Sequence, residues 1–158
     1  MNPSRLVFCL LFTGAVAATA GERLSCPDLA TATPVGNCPR ESDLQYTFTG
    51  YCSDDRRMYQ QDTAVCTDYQ EYRKLKNVVP WESADGAFMA YLSCELPADR
   101  IKAARASQVA VSRQGKITIL ACHYDQGITF THRSRRECTV VGDGHCAADP
   151  TACRASCE

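Results

Sequence analysis

Apolar residues recur along this chain with a period that changes several times, and each change marks an element. Leu44 to Cys52 (LQYTFTGYC) alternates, with Leu44, Tyr46, Phe48 and Cys52 on one side and Gln45, Thr47 and Thr49 on the other. That period predicts a half-buried strand. Residues 53–65 are polar, with Asp54-Asp55 favouring a turn and Arg56 to Gln60 returning as a second strand. The period then lengthens. Thr67-x-x-Gln70 has the form of a capping box, and Tyr69, Tyr72 and Leu75 or Lys76 follow at spacings of three to four. A short helix is expected over 67–76, with Pro80 stopping it. Trp81 then falls in a loop, as a core plug or as an exposed anchor. Ala87 to Glu95 (AFMAYLSCE) is apolar on both faces and short, which suits a central strand. Pro97 to Ala106 is rich in helix formers.

The clearest pattern covers 107–141. Gln108 to Arg113 and Lys116 to Tyr124 flank Gln114-Gly115, and Asp125-Gln126-Gly127 leads to Ile128 to His132. Counting across these turns pairs Val111 with Thr118, Val109 with Leu120, Tyr124 with Ile128 and Cys122 with Phe130. One face then gathers Val109, Val111, Leu120, Cys122, Tyr124, Ile128 and Phe130, and Glu137 to Val141 adds a strand. In the tail, Asp149-Pro150 has the form of an N-cap and first helical residue, so a helix from 150 would set Cys153 and Cys157 on one face. The expected fold class is α+β: mainly an antiparallel β meander with one to three short helices, in one small disulfide-stapled domain. One internal echo stands out. Thr47 to Cys52 with Cys66 resembles Thr118 to Cys122 with Cys138, as two hairpins of similar make or as a duplicated module.

The first twenty residues look different. Arg5 precedes an apolar run from Leu6 to Ala18, and Ala18-Thr19-Ala20 has the A-x-A form of a cleavage site. The run is shorter than the ~20 residues of a spanning helix. Residues 1–20 are therefore expected to be a signal peptide and 21–158 a single disulfide-rich domain without a stable membrane anchor. Within it, 21–43 is an extended arm rich in proline, 44–141 the sheet core and 142–158 a cysteine-rich tail. Cleavage also removes Arg5 and Cys9. Sixteen Lys and Arg then face eighteen Asp and Glu, a net charge near −2 that gives no sign of nucleic-acid binding.

Ten cysteines remain: Cys26, Cys38, Cys52, Cys66, Cys94, Cys122, Cys138, Cys146, Cys153 and Cys157. An even number in an exported chain predicts five disulfides, and leaves no thiol for catalysis. Connectivity is not deducible. Metal ligation would want closely spaced thiol pairs, which the chain lacks, and His145-Cys146 with Cys153 and Cys157 is a poor substitute. Neither a metal nor a cofactor is expected.

No nucleophile elbow, zinc-protease helix, phosphate loop or calcium loop occurs. A His123/Asp125 pair shares a strand face by i, i+2 spacing, and an edge histidine beside a turn aspartate explains it equally. The most unusual polar cluster is His132-Arg133-Ser134-Arg135-Arg136, with Arg113 and Lys116 at the neighbouring hairpin tip. These residues form either a solvated turn or a surface for an acidic or anionic protein partner. Tyr69, Tyr72 and Trp81 are candidates for a recognition patch, and packing of the helix on the sheet accounts for them as well. The stretch from Ala121-Cys122-His123-Tyr124 to Cys138 resembles arrangements found in small periplasmic proteins and inhibitors, over one hairpin only. The expected function is a non-enzymatic binding or inhibitor-like protein of the periplasm or extracellular space. The alternative is a small secreted hydrolase or toxin using His123 or His132.

Overall fold

The computed structural model describes residues 21–158, so the expected signal peptide lies outside the described residues. The class is α+β, with every strand pairing antiparallel. A six-stranded sheet runs in the order β2 (Thr33–Pro34), β3 (Val78–Glu82), β4 (Met89–Ser93), β7 (Thr129–Ser134), β6 (Ile117–Tyr124), β5 (Ala106–Gln114). A second sheet places β9 (Arg154–Cys157) between β1 (Glu22–Ser25) and β8 (Cys138–Val140). No helix of the described residues is long and apolar enough to cross a membrane.

The β5-β6-β7 meander forms as its period demands. Along β6 every second side chain is buried: Thr118, Leu120, Cys122 and Tyr124. Cys122 pairs with Phe130, and Tyr124 donates its backbone N–H to the Ile128 carbonyl at 2.9 Å. On the β5 side the register differs from expectation, since Val111 faces Leu120 and Val109 faces Cys122. The two loop residues are Gly115 and Lys116, one place further on than Gln114-Gly115. Gly115 stands at φ +59°, so the residue suited to left-handed backbone takes the first loop position. A shift of one loop position preserves which face each residue occupies, so the expected apolar layer still forms.

Its cover consists of short elements. Leu29 and Ala32 from the arm, Ile101 from α4 (Ala98–Ala103) and Cys153 and Ala155 from the tail join Trp81, Phe88, Leu92, Leu120, Cys122 and Phe130 in one cluster. The tail also caps the upper edge of β5. Val109 donates to the Gly144 carbonyl at 2.8 Å and Cys146 donates to the Ser107 carbonyl at 2.9 Å. A Cβ on residue 144 would come within 2.7 Å of the Val109 carbonyl oxygen, so this approach requires glycine.

Several expected elements take another form. Leu44 to Cys52 is not a strand but lies in helix α1 (Glu41–Tyr51). Leu44, Phe48 and Tyr51 there share one helical face at spacings of four and three, while Tyr46, grouped with them by alternation, is 83% exposed. The Asp43 carboxylate closes the first turn by accepting from both the backbone N–H and the guanidinium of Arg40, which is half of a capping box. Arg56 to Gln60 is not a strand either. Arg57–Gln61 form a π-helical turn that leads into α2 (Thr63–Thr67). Helix α3 (Tyr69–Lys76) starts two residues later than expected, because the Asp68 carboxylate accepts from the Gln70 N–H at 2.8 Å and caps it.

Pro80 lies inside β3, beyond the end of the helix, and Trp81 is in the core at 4% exposure. β4 is an interior strand as expected, although Met89 and Tyr91 leave one of its faces open. β8 joins the smaller sheet and does not extend the meander. Residues 154–157 form a strand where a helix was expected, with Pro150–Ala152 making only one 3-10 turn.

All ten cysteines of the described residues pair: Cys26–Cys122, Cys38–Cys94, Cys52–Cys66, Cys138–Cys157 and Cys146–Cys153. The arm is therefore bolted to the sheet twice, and the tail closes on itself and on β8. The echo between the two cysteine blocks is not structural. Cys52 and Cys66 bond each other from helices, whereas Cys122 and Cys138 bond partners elsewhere.

The bridges span very different lengths, 96 residues for Cys26–Cys122 and 14 for Cys52–Cys66. In the chain-entropy account, replacing both cysteines of the first by alanine should cost about 4–5 kcal/mol, and of the second about 3 kcal/mol. Urea unfolding of the two double variants checks that order. Non-reducing peptide mapping checks the five pairs.

Candidate binding surfaces

The cationic residues singled out in sequence do converge on one end of the large sheet. In the ladder Arg113 faces Thr118, Thr118 faces Ser134, and Ile119 faces Arg133, with Lys116 at the hairpin tip and Arg135 and Arg136 just past the end of β7. Arg113, Lys116, Arg133, Arg135 and Arg136 are all exposed. Two of them have carboxylate partners across to the small sheet. Arg113 pairs with Glu137, and Arg136 pairs with Glu22 at 3.0 Å. Arg133, Arg135 and Lys116 make no ion pair among the described residues.

His132 belongs to a different surface. Two residues after Phe130 on the same strand, it turns toward the core side, where its Nδ1 lies 2.8 Å from the Ala87 carbonyl oxygen and its ring 5.5 Å from that of Phe88. A carbonyl can only accept, so Nδ1 carries the proton of this bond. The ring is held as a half-buried prop beneath the edge where Arg133 points outward.

The structure does not join His123 to Asp125. His123 Nδ1 is 3.0 Å from the Thr129 hydroxyl, and the Asp125 carboxylate accepts the Arg105 backbone N–H at 3.0 Å. His145 sits where the tail bridges β5, opposite Gln108. No group of three or more His, Cys, Asp and Glu side chains that could hold a metal occurs among the described residues.

The aromatic candidates separate as well. Tyr72 is buried and makes an edge contact with Phe48, their ring centroids 5.1 Å apart, with Tyr51 on its other side at 5.5 Å. Trp81 is distant from them, inside the sheet core. Packing accounts for both. Around these rings the helices form an open groove of about 880 Å³ that the sequence did not reveal, lined by Leu44, Tyr46, Gly50, Tyr51, Arg57 and Lys76 among others. Its residues come from three segments, and reading α1 as a strand hid the shared face.

The helical unit is fastened to the sheet by charge as well as by Cys38–Cys94. Arg73 of α3 reaches both Glu41 at the start of α1, at 3.1 Å, and Glu95 after β4. Glu41 also accepts from the Tyr69 hydroxyl at 2.5 Å. The two donors, Tyr69 first and Arg73 second, hold the Glu41 carboxyl below its ordinary range. Desolvation, with the Glu41 carboxylate next in order, pushes the Tyr69 phenol up to about 12.

The chain matches no family model, and neither a curated protein nor a solved structure is similar to it.

The signs of these two shifts bracket the helical unit. The contribution of Glu41 is present above the ordinary carboxylate range and fades as pH falls through its depressed value. That of the neutral Tyr69 hydroxyl fades as pH rises beyond the ordinary phenol value of about 10. Tyr69→Phe should remove a phenol that titrates at about 12, and Glu41→Gln should move it back toward 10. Ring-carbon shifts of Tyr69 followed through an alkaline titration give the measurement. A phenol unmoved by Glu41→Gln would show that the carboxylate has no part in the shift.

Proposed function

We propose that this chain is an exported, disulfide-locked binding protein of the periplasm or extracellular space, which engages an acidic protein surface through the cationic end of its large sheet. The observation that carries the proposal is the grouping of Arg133, Arg135 and Lys116. They stand together, exposed and without a carboxylate partner among the described residues, in a mature chain that is slightly acidic overall. Other cations of the described residues also lack an ion pair, Arg57 and Lys76 among them, so the gathering at one end of the sheet carries the weight and not the lack of partners alone.

The scaffold supports this reading. Two of the three cations are fixed to a strand or to the turn directly following it, and the third to a two-residue hairpin loop. Little ordering entropy is lost when a partner docks on such a surface. Arg113 and Arg136 extend the patch, because exposed ion pairs are worth little and exchange readily with an incoming carboxylate. Five disulfides suit an oxidising compartment where the glutathione pool does not act. His132 supports the β7 edge from below and makes no contact with the partner.

A triple reversal, Lys116→Glu, Arg133→Glu and Arg135→Glu, should weaken binding to immobilised polyglutamate about tenfold or more at low salt, with the thermal midpoint unchanged. Binding by the parent protein should itself fall as ionic strength rises toward a Debye length of about 8 Å. Equal affinity of parent and triple variant would overturn the assignment of the patch.

A further inference from the structure

We propose that the groove beside α1 is a second, independent binding site, which takes a small ligand with an aromatic or apolar body and one carboxylate. Its volume of about 880 Å³ lies within the roughly 300–1,000 Å³ of small-molecule sites. Its walls are apolar and ring-bearing: Leu44 and Tyr72 below, Tyr51 at one side and Tyr46 at the rim. Tyr46 leaves 83% of its surface uncovered, so its ring is open to a ligand in the groove.

Gly50 gives the second observation. It stands near the C-terminal end of α1, where glycine weakens a helix relative to alanine. A Cβ built on it meets nothing within 4 Å, so no close packing demands its absence. Gly50 lines the groove without a side chain, and a leucine there is expected to take up part of that space.

Charge then selects the ligand. The Arg57 guanidinium lies over the Tyr51 ring, 4.1 Å from its centroid, and the Lys76 ammonium lies 5.0 Å from the same centroid. Neither makes an ion pair among the described residues. Of the acidic groups nearby, Asp43 is ion-paired with Arg40, and Asp62 accepts the Tyr51 hydroxyl at 2.8 Å while keeping its charge, so the two cations outnumber it at this ring. A guanidinium stacked on a ring uses its flat face and leaves its N–H edge free for a carboxylate. Both cations lie against the same ring, so positive charge gathers at the Tyr51 side of the groove. That suits a single carboxylate beside an apolar body, whereas the spread-out charges at the sheet end suit an extended acidic surface.

The test uses the full disulfide-bonded chain and two probes of one shape, indole-3-acetate and its neutral amide, titrated by calorimetry and by amide chemical shifts. The acid should bind at least about tenfold more tightly than the amide. Arg57→Gln with Lys76→Gln should abolish that preference and leave the weak affinity for the amide. Gly50→Leu should block both probes while the Phe48 and Tyr72 ring signals stay in place, which shows that the helical unit is intact. Reversing Lys116, Arg133 and Arg135 should leave acid binding unchanged, so this site and the sheet-end surface can fail separately. No binding of the acid at millimolar concentration, equal affinity for acid and amide, or shifts that survive Gly50→Leu would each overturn the proposal. Tight binding of hexaglutamate in the groove, with none of the indole acid, would overturn it in favour of an acidic peptide.

Discussion

The Cys26–Cys122 bond ties the least regular part of the chain to the middle of its core. Cys122 is fully buried on β6, paired in the ladder with Phe130. Cys26 opens the stretch of arm that lays Leu29 and Ala32 on the same apolar layer, and the Tyr124 hydroxyl donates to the Pro27 carbonyl at 2.6 Å beside it. The Cys26 N–H in turn donates to the Cys153 carbonyl at 2.9 Å. One covalent bond thus fixes where the arm crosses the sheet and where the tail crosses the arm. The elements that cover the sheet are a three-residue 3-10 turn, a six-residue helix and strands of three or four residues. None is long enough to persist alone. They act as a layer because disulfides have already limited how far they can separate.

The same logic explains the helical unit. Its rings form a small cluster apart from the main core, with Leu44, Cys66 and Tyr72 buried in it. Cys52–Cys66 closes the π-helical turn between α1 and α2, and Cys38–Cys94 with Arg73 anchors the whole to the end of β4. A cluster of this size contributes less burial than the sheet core, so its geometry depends more heavily on cross-links and on the pairing of the ionised Glu41 carboxylate with the neutral Tyr69 hydroxyl. The two candidate sites consequently sit on supports of different stiffness. One rests on a three-strand ladder with consecutive hairpins, the other on short helices held from outside.

How much of this could be read in the sequence follows from what each signal measures. The meander was legible because three runs kept period two and the turns between them carried Gly115 and Gly127. Its faces were robust to the mistaken loop, since a one-place shift of a hairpin loop leaves parity intact. Leu44 to Cys52 misled because Tyr, Phe and Thr are good strand formers and the stretch also alternates. The competing helical face of Leu44, Phe48 and Tyr51 is decided by the packing of Phe48 on Tyr69 and Tyr72, which is tertiary. β3 is masked in the sequence by Pro80, because a proline directly after a helical run reads as the stop of that helix. The gathering of Arg113, Lys116 and Arg133 to Arg136 was visible because a hairpin makes sequence neighbours into spatial ones. The inward turn of His132 was also available, since it shares parity with Phe130. The groove was not legible, because residues 44–51, 57 and 76 are distant in sequence and are brought together only by the tertiary packing that Cys52–Cys66 cross-links.

Charge placement bears on how an acidic partner could be recognised by a chain that repels acids on average. With a net charge near −2 over residues 21–158 the far field is weakly unfavourable to such a partner. Recognition must then come from local arrangement within a Debye length of about 8 Å. The sheet end achieves this in two ways. Arg133, Arg135 and Lys116 contribute unmatched charge, and Arg113 and Arg136 hold Glu137 and Glu22 in exposed pairs that cost little to open. An approaching carboxylate can replace either glutamate without leaving a buried charge unpaired, which a buried ion pair would not permit. On the proposed reading the surface would discriminate at contact while staying nearly neutral at a distance, and an acidic partner would be held by fit to five positions more than by long-range attraction.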